Sequence, residues 1–277
     1  MKRVLTIQDI SCVGKCSLTV ALPIISAFGV ETSVLPTAVL STHTAFNGFT
    51  FNDLTDDIPK IANHWKEQGI SFDAIYTGYL GSFRQLELVS QIFDDFKTND
   101  NYILVDPVMA DNGMLYKGFD KNFAKSMAKL CGKADIIVPN LTEASFMMDI
   151  PYVANGYDEQ YIKDLLKKLT DLGCKKAVLT GVSFTPGKLG VCGYDRVKNE
   201  YFSYYNKYLP VSFHGTGDVF ASALCGALSL NKPLYHALQI AVDYTVECIN
   251  CTISNKDHAW YGVEFEKAIP YLIERIK

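Results

Sequence analysis

Short β-rich runs alternate with amphipathic helical stretches along most of this chain, and that alternation limits its fold more than any other feature. Apolar spacing predicts helices over 56–68, 84–97, 122–130, 142–148 and 159–172, separated by strands at 74–77, 102–105, 136–138 and 176–180. Strands joined through helices must run parallel, and a parallel sheet needs helices on both faces to bury it. Before this series come a strand over 3–7, a helix over 14–28, extended segments at 32–36 and 38–42, and a polar, glycine-containing stretch over 43–49. After it come a hairpin of 190–194 with 200–205 and helices over 217–230, 234–251 and 264–276. No repeat, low-complexity segment or linker interrupts the pattern, and 277 residues are ample for a buried core. The expectation is an α/β fold: a single domain over 1–277 with a mostly parallel central sheet and helices on both faces.

In such sheets a ligand lies beyond the carboxyl ends of the strands. The tips to watch are Asp9-Ile10-Ser11, Thr77-Gly78-Tyr79, Asp106-Pro107-Val108, Pro139-Asn140 and Thr180-Gly181. A further stretch, Gly215-Thr216-Gly217-Asp218, immediately precedes a small, apolar helical run. Unpaired N–H groups at a helix N-terminus stabilise a phosphoryl group, and glycines let the backbone come close to it. A carboxylate there repels phosphate but is well placed to take a proton from an attacking hydroxyl. From these residues alone a second reading stays open, in which Asp218 only starts a helix and the glycines only turn the chain. Asp106 and Asp111 flank a proline-stiffened strand exit and suit magnesium, a hard ion with oxygen ligands, or one caps a turn while the other is solvated. Asn140 and Glu143 offer an amide and a carboxylate at a helix start, and equally make a capping box. Thr180 bonds either a nucleotide phosphate or its neighbours. His43 reads as a loop histidine without a proton-transfer role, and Tyr79 either edges a flat ring or fills core.

A net charge of −4 gives no general attraction to nucleic acid or to an anionic membrane, so any anion site must be local. No apolar run has the length of a membrane span, and the first residues lack the apolar run of a signal peptide. With eight scattered cysteines this reads as a reduced, cytoplasmic protein. Cys248-Ile249-Asn250-Cys251 lacks the second pair or clustered histidines of a zinc site and reads as two helix thiols. Gly14-Lys15-Cys16-Ser17 follows a strand, yet it lacks the spaced first glycine of a nucleotide P-loop and has Cys16 at the magnesium-binding hydroxyl position.

Taken together the segments resemble the ribokinase-like superfamily and, within it, the pyridoxal (pyridoxamine) kinases. The resemblance runs nearly end to end through Gln8-Asp9-Ile10-Ser11, Val13-Gly14, Leu40-Ser41-Thr42-His43-Thr44, Thr77-Gly78-Tyr79-Leu80-Gly81-Ser82, Asp106-Pro107-Val108-Met109, Pro139-Asn140-Leu141-Thr142-Glu143 and Gly215-Thr216-Gly217-Asp218. It implies ATP-dependent phosphorylation of the hydroxymethyl group of a B6 vitamer, with Asp218 as base and the amides of Gly215, Thr216 and Gly217 as anion hole. By the same resemblance Ser11, His43, Thr44 and Tyr79 hold the substrate ring, and Asn140, Glu143 and Thr180 serve the nucleotide. Asp111 and Glu143 match the metal and phosphate region. ATP and Mg2+ follow as cofactors, with K+ in some members, and a homodimer as the usual assembly. Two features set the chain apart: a short segment over 112–118, where the family covers its site, and Cys12 and Cys16 beside the ring positions. A hydroxymethylpyrimidine kinase shares the same strand-end motifs, and a vitamin-binding protein without turnover is the alternative of another class. A sugar kinase is disfavoured because the first segment lacks that branch's double-glycine, asparagine-rich pocket.

Overall fold

A computed structural model describes all residues, Met1–Lys277, and shows a mixed α/β fold built on a large, mostly parallel central sheet. The chain divides into two compact units, one made of Met1–Tyr76 with Asn206–Lys277 and the other of Thr77–Tyr205. In chain order the first unit opens with β1 (Arg3–Val13), α1 (Leu18–Ala27), β2 (Glu31–Thr42), β3 (Phe51–Asp53), α2 (Ile58–Glu67) and β4 (Ala74–Thr77). The second follows with α3 (Phe83–Phe96), β5 (Tyr102–Val105), β6 (Ala110–Asp111), β7 (Met114–Leu115), α4 (Lys121–Cys131), β8 (Ile136–Ile137), α5 (Leu141–Met147), α6 (Glu159–Asp171), β9 (Lys176–Val182), β10 (Lys188–Asp195) and β11 (Glu200–Lys207). The first unit is completed by α7 (Thr216–Ser229), α8 (Leu234–Ser254) and α9 (Phe265–Ile276).

Within the first unit the strands lie in the order β4-β1-β2-β3, with β1 and β2 parallel and β3 antiparallel to β2. Val4, Leu5, Thr6, Ile7 and Gln8 are all buried, as expected of a strand covered on both faces. Where the sequence suggests that β1 stops near Ile7, the strand instead runs on to Val13. Its register against β2 shifts between Gln8 and Ile10, opposite Pro36. Proline brings no N–H to the ladder, so this is where an irregularity costs least. Asp9 sits at that irregularity, in the sheet interior. The two extended segments expected around Pro36 are one continuous strand, β2.

The helix expected from Gly14 begins only at Leu18. Lys15 and Ser17 occupy the left-handed region, at φ 51° and 52°, so Gly14 to Ser17 form a tight loop rather than a first turn. Helix α7 is buried along most of its length and packs against α1 and α8. A Cβ at Gly226 would lie 2.3 Å from the Phe28 ring, so a side chain there would push α7 away from the end of α1.

In the second unit the strands run β11-β10-β9-β8-β5. The pairs β5–β8 and β8–β9 are parallel, and β10 returns antiparallel to β9, as the hairpin reading requires. The apolar stripes of α3, α4 and α6 all face inward, including Leu86, Val89 and Phe93 on α3 and Leu165, Leu166 and Leu169 on α6. The segment over 112–118 contains the turn of a small hairpin, β6–β7, which the periodicity did not reveal. Its turn residues Asn112 and Gly113 have φ 50° and 78°, the backbone that an Asn-Gly pair accommodates between two strands.

Candidate active site

Two clusters contain the strand-tip residues, one in each unit. In the first unit Asp9 is buried and receives two hydroxyls, Ser17 Oγ donating to Oδ1 at 2.6 Å and Ser11 Oγ donating to Oδ2 at 2.9 Å. Burial pushes its pKa up while the two serines pull it down. The loop from Gly14 to Ser17 lies over this carboxyl and against the start of α7. A Cβ on Gly215 would come within 2.0 Å of the Lys15 carbonyl oxygen, and Gly215 itself is left-handed at φ 80°. Only glycine satisfies both demands. On the outer side Lys15 Nζ pairs with Glu266 at 2.6 Å, and a Cβ on Gly262 would meet the Lys15 Cβ at 2.6 Å.

Asp218 follows in the first turn of α7, three residues beyond Gly215. Burial, and then the charge of Asp9, raise its pKa to about 7, against the lowering effect of the nearby Ser17 backbone N–H. Asp218 is thus poised to exchange a proton near neutral pH. The amides of Gly215, Thr216 and Gly217 begin the same helix, with Thr216 Oγ1 donating to the Phe213 carbonyl at 3.3 Å. Cys16 is buried beside the two acids, and burial followed by the charges of Asp218 and Asp9 pushes its thiol up to about 12, so it stays neutral and unreactive. Cys12 is exposed.

His43 is buried at the end of β2, and both ring nitrogens are engaged. The Ala45 N–H donates to Nδ1 at 3.1 Å, so the proton sits on Nε2, which donates to the Tyr261 carbonyl at 3.1 Å. Burial lowers its pKa, which agrees with a neutral ring. His43 lies in an aromatic cluster, 4.5 Å from the His214 ring and 5.0 Å from Phe46, with the tilted Trp260 ring 4.5 Å from Phe46. Thr44, next to it, is exposed.

In the second unit Asn140 caps α5 and forms a complete capping box. Its Oδ1 accepts from the Glu143 N–H at 2.9 Å, and Glu143 Oε2 accepts from the Asn140 N–H at 2.9 Å. The Asn140 amide also donates to the Ala110 carbonyl at 2.9 Å, and Glu143 Oε1 accepts from the Met109 N–H at 3.2 Å. One helix start therefore fixes the path of the chain out of β5. Thr142 Oγ1 takes the Gly113 N–H at 3.0 Å, tying the β6–β7 turn to the same helix. Burial pushes the Glu143 carboxyl upward, and the Asn140, Met109 and Ala110 N–H groups draw it back. Thr180 is half-buried on β9, bridged to Asn140 and followed by left-handed Gly181. Tyr79 is half-buried 5.7 Å from the Phe119 ring.

Asp106 is buried whereas Asp111 is exposed, so the two acids of the strand exit do not share one surroundings. Asp111 accepts from the Asn112 N–H at 2.8 Å and from the Asn112 side-chain amide at 3.0 Å, with lone pairs left over. Three or more His, Cys, Asp or Glu side chains do not converge anywhere as a metal cage. Magnesium keeps waters and takes one or two carboxylates together with phosphates, so an exposed Asp111 suits an ion carried by a nucleotide. The Cys248–Cys251 pair lies on α8 with one thiol buried and one half-buried, as two helix thiols.

The structure thus joins Ser11 to Asp9, Asp218 to the Gly14–Ser17 loop, and Asn140 to Glu143 and Thr180. Sequence reasoning flagged Asp9 as a strand tip without giving it a role, and did not find Ser17, His214, Tyr261 or Thr142.

Among solved structures, a chain from Bacteroides thetaiotaomicron, provisionally described as a phosphomethylpyrimidine kinase and crystallised with pyridoxal, is 41% identical, with coverage of 98% of this chain and 95% of that one and a TM-score of 0.93. Pyridoxal kinase from Lactobacillus plantarum is 29% identical, with coverage of 99% and 97% and a TM-score of 0.90. The curated pyridoxal kinase of Dictyostelium discoideum is 29% identical over 92% of this chain and 87% of its own length. A hydroxymethylpyrimidine/phosphomethylpyrimidine kinase from Bacillus subtilis is 23% identical over 65% of each chain. Residues 26–261 match the family described as phosphomethylpyrimidine kinase. The chain belongs to the phosphomethylpyrimidine kinase family.

Proposed function

We propose that this protein catalyses ATP-dependent phosphorylation of the 5′-hydroxymethyl group of a B6 vitamer, pyridoxal, pyridoxine or pyridoxamine, acting as one kinase domain over 1–277. The observation that carries this reading is the Asp218 carboxyl, raised to about 7 in the first turn of α7. A general base works best when its pKa lies near the operating pH.

In the reaction Asp218 takes the hydroxyl proton as that oxygen bonds to the γ-phosphorus. The bond from phosphorus to the β,γ-bridging oxygen breaks, ADP leaves, and Asp218 later returns its proton to solvent. The Gly215, Thr216 and Gly217 amides stabilise the charge on the transferring group. Ser11, His43, Thr44 and Tyr79 hold the ring. His43 serves as a neutral, oriented imidazole, since its Nδ1 is an acceptor and its Nε2–H is already given to Tyr261. Asn140 and Thr180 serve the nucleotide, and Asp111 with Glu143 forms the acidic side of its phosphates. Asp111 would hold the Mg2+ carried by ATP, which would supply neutralisation of phosphate charge. By the same resemblance we infer a cytoplasmic homodimer, with K+ as an additional ion.

The thiamine-pathway reading, phosphorylation of hydroxymethylpyrimidine, is favoured by the Bacillus subtilis relative. The two are separated by measuring ADP release with each B6 vitamer and with hydroxymethylpyrimidine at equal concentration. The B6 reading expects the highest kcat/KM with a vitamer, and a strong preference for the pyrimidine overturns it. Tight vitamer binding without ADP release would indicate a binding protein instead.

A further inference from the structure

We propose that Thr142 is a positioning residue for Asp111: its hydroxyl clamps the β6–β7 turn to the start of α5 and so holds the Asp111 carboxylate where it serves the Mg2+ carried by ATP. This rests on the reading of Asp111 as a residue of the nucleotide side.

Asp111 is exposed, and its carboxyl accepts from the adjacent Asn112, at 2.8 Å from the N–H and 3.0 Å from the side-chain amide. Those bonds lie within the hairpin and move with it, so the place of the carboxylate is set by the backbone that carries it. The hairpin has two residue pairs, Ala110 with Leu115 and Asp111 with Met114. A ribbon that short does not hold its own shape in water, and its orientation comes from what it is tied to. Two ties run to the same turn of α5. The Ala110 carbonyl, one residue before Asp111, accepts from the Asn140 amide at 2.9 Å. The Gly113 N–H, two residues after it, donates to Thr142 Oγ1 at 3.0 Å. Asp111 is bracketed between them.

Gly113 is shaped for this contact. It is left-handed at φ 78°, and a Cβ on it would lie 2.8 Å from the Tyr152 ring, so the turn is wedged between that ring and the Thr142 hydroxyl. Thr142 is 2% exposed and stands second in α5. The capping box that secures this helix is made by Asn140 and Glu143, and Thr142, between them, takes no part in it. Its hydroxyl is therefore accounted for by the hairpin and not by the helix. Removing that hydroxyl leaves the Gly113 N–H without its acceptor and frees one of the two ties.

The test is the affinity for Mg2+ with a non-hydrolysable ATP analogue, measured by calorimetry on the full chain. The set is wild type, Thr142→Val, Thr142→Ser, Asp111→Asn and the double variant of Asp111→Asn with Thr142→Val, with Tm to confirm folding. Thr142→Val keeps the shape of the side chain and removes the acceptor. It is expected to weaken binding roughly 3- to 10-fold, the scale of one lost hydrogen bond, while Thr142→Ser stays within about twofold of wild type. Because Thr142 acts through Asp111, Thr142→Val should add no loss in the Asp111→Asn background. Wild-type affinity in Thr142→Val overturns the proposal, as does a Thr142→Ser variant as weak as Thr142→Val. An equal loss from Thr142→Val in both backgrounds also overturns it, by marking Thr142 as merely structural. If Thr142→Val does not fold, amide exchange of the wild type decides. The Gly113 N–H should exchange at least about 10-fold more slowly than a free peptide amide, and exchange at the free-peptide rate refutes the clamp. Asp111→Asn separates the two layers: wild-type affinity in that variant refutes the reading of Asp111 itself, whereas a loss there with an inert Thr142→Val refutes only the positioning role.

Discussion

Asp218, the base of the proposed reaction, would draw its reactivity from its surroundings, because an ordinary exposed aspartate is too weak a base to draw a proton from an alcohol. Burial and the Asp9 charge raise it to about 7. A base acts when ionised, so protonation through this pKa switches the reaction off. The pH profile of kcat/KM for the vitamer, which reports groups of the free enzyme, should fall on the acid side with a midpoint near pH 7, well above the range of an ordinary carboxylate. An acidic limb near pH 4 would show that Asp218 is not held as described. The position of Asp218 in the first turn of a helix was legible in the sequence, because the stretch that marks it, Gly215 to Asp218, is four consecutive residues. Asp9 and Ser17 were not, since their meaning depends on a register shift against β2 and on a left-handed backbone, and neither leaves a local trace in composition or period. His43 shows the same limit: the Ala45 N–H that fixes its tautomer is local, but the Tyr261 carbonyl that takes its Nε2–H lies far along the chain.

Among the elements, the loop from Gly14 to Ser17 and the start of α7 behave as one piece. Apolar spacing extends the first helix back to Gly14, but packing against Gly215 and Gly262 overrides that local preference and delays it to Leu18. Gly215→Ala should therefore damage stability and activity together. A side chain at φ 80° costs about 1–2 kcal/mol by itself, and overlap with the Lys15 carbonyl adds to that. A fall in denaturation midpoint equivalent to at least about 2 kcal/mol, with loss of turnover, is the expected result. A fully stable and active Gly215→Ala enzyme would show that α7 and the loop are not in contact as described. At the start of α5 the sequence left two readings of Asn140 and Glu143, and the capping box is formed. That does not remove them from the nucleotide reading, because the box orients the chain from Met109 to Gly113 that carries Asp111.

At the scale of the whole molecule, the alternation of strands and helices was readable because each element is long enough to show its period, and α3, α4, α6 and β4, β5 lie within a residue or two of expectation. The short β3 and the β6–β7 hairpin were not, since two or three residues carry no period. Charge adds a further handle on stability. Burial alone would raise the Asp135 pKa, but Lys175 at 2.8 Å, Lys97 at 2.9 Å and the Ile103 N–H at 2.8 Å outweigh it and hold the carboxyl below its usual value. A depressed folded pKa stabilises the fold above the unfolded value near 3.8, and this contribution disappears as pH falls through the folded pKa. Asp135→Asn should thus lower Tm at pH 7 and cost progressively less as the pH drops below about 4. A Tm difference independent of pH would contradict that account. The most direct test of the catalytic claim is kcat with pyridoxal in Asp218→Asn, measured together with the affinity of the variant for ATP. The account predicts a loss of roughly 10² to 10⁴ in kcat with ATP affinity retained, and a variant that turns over as fast as the wild type would contradict it.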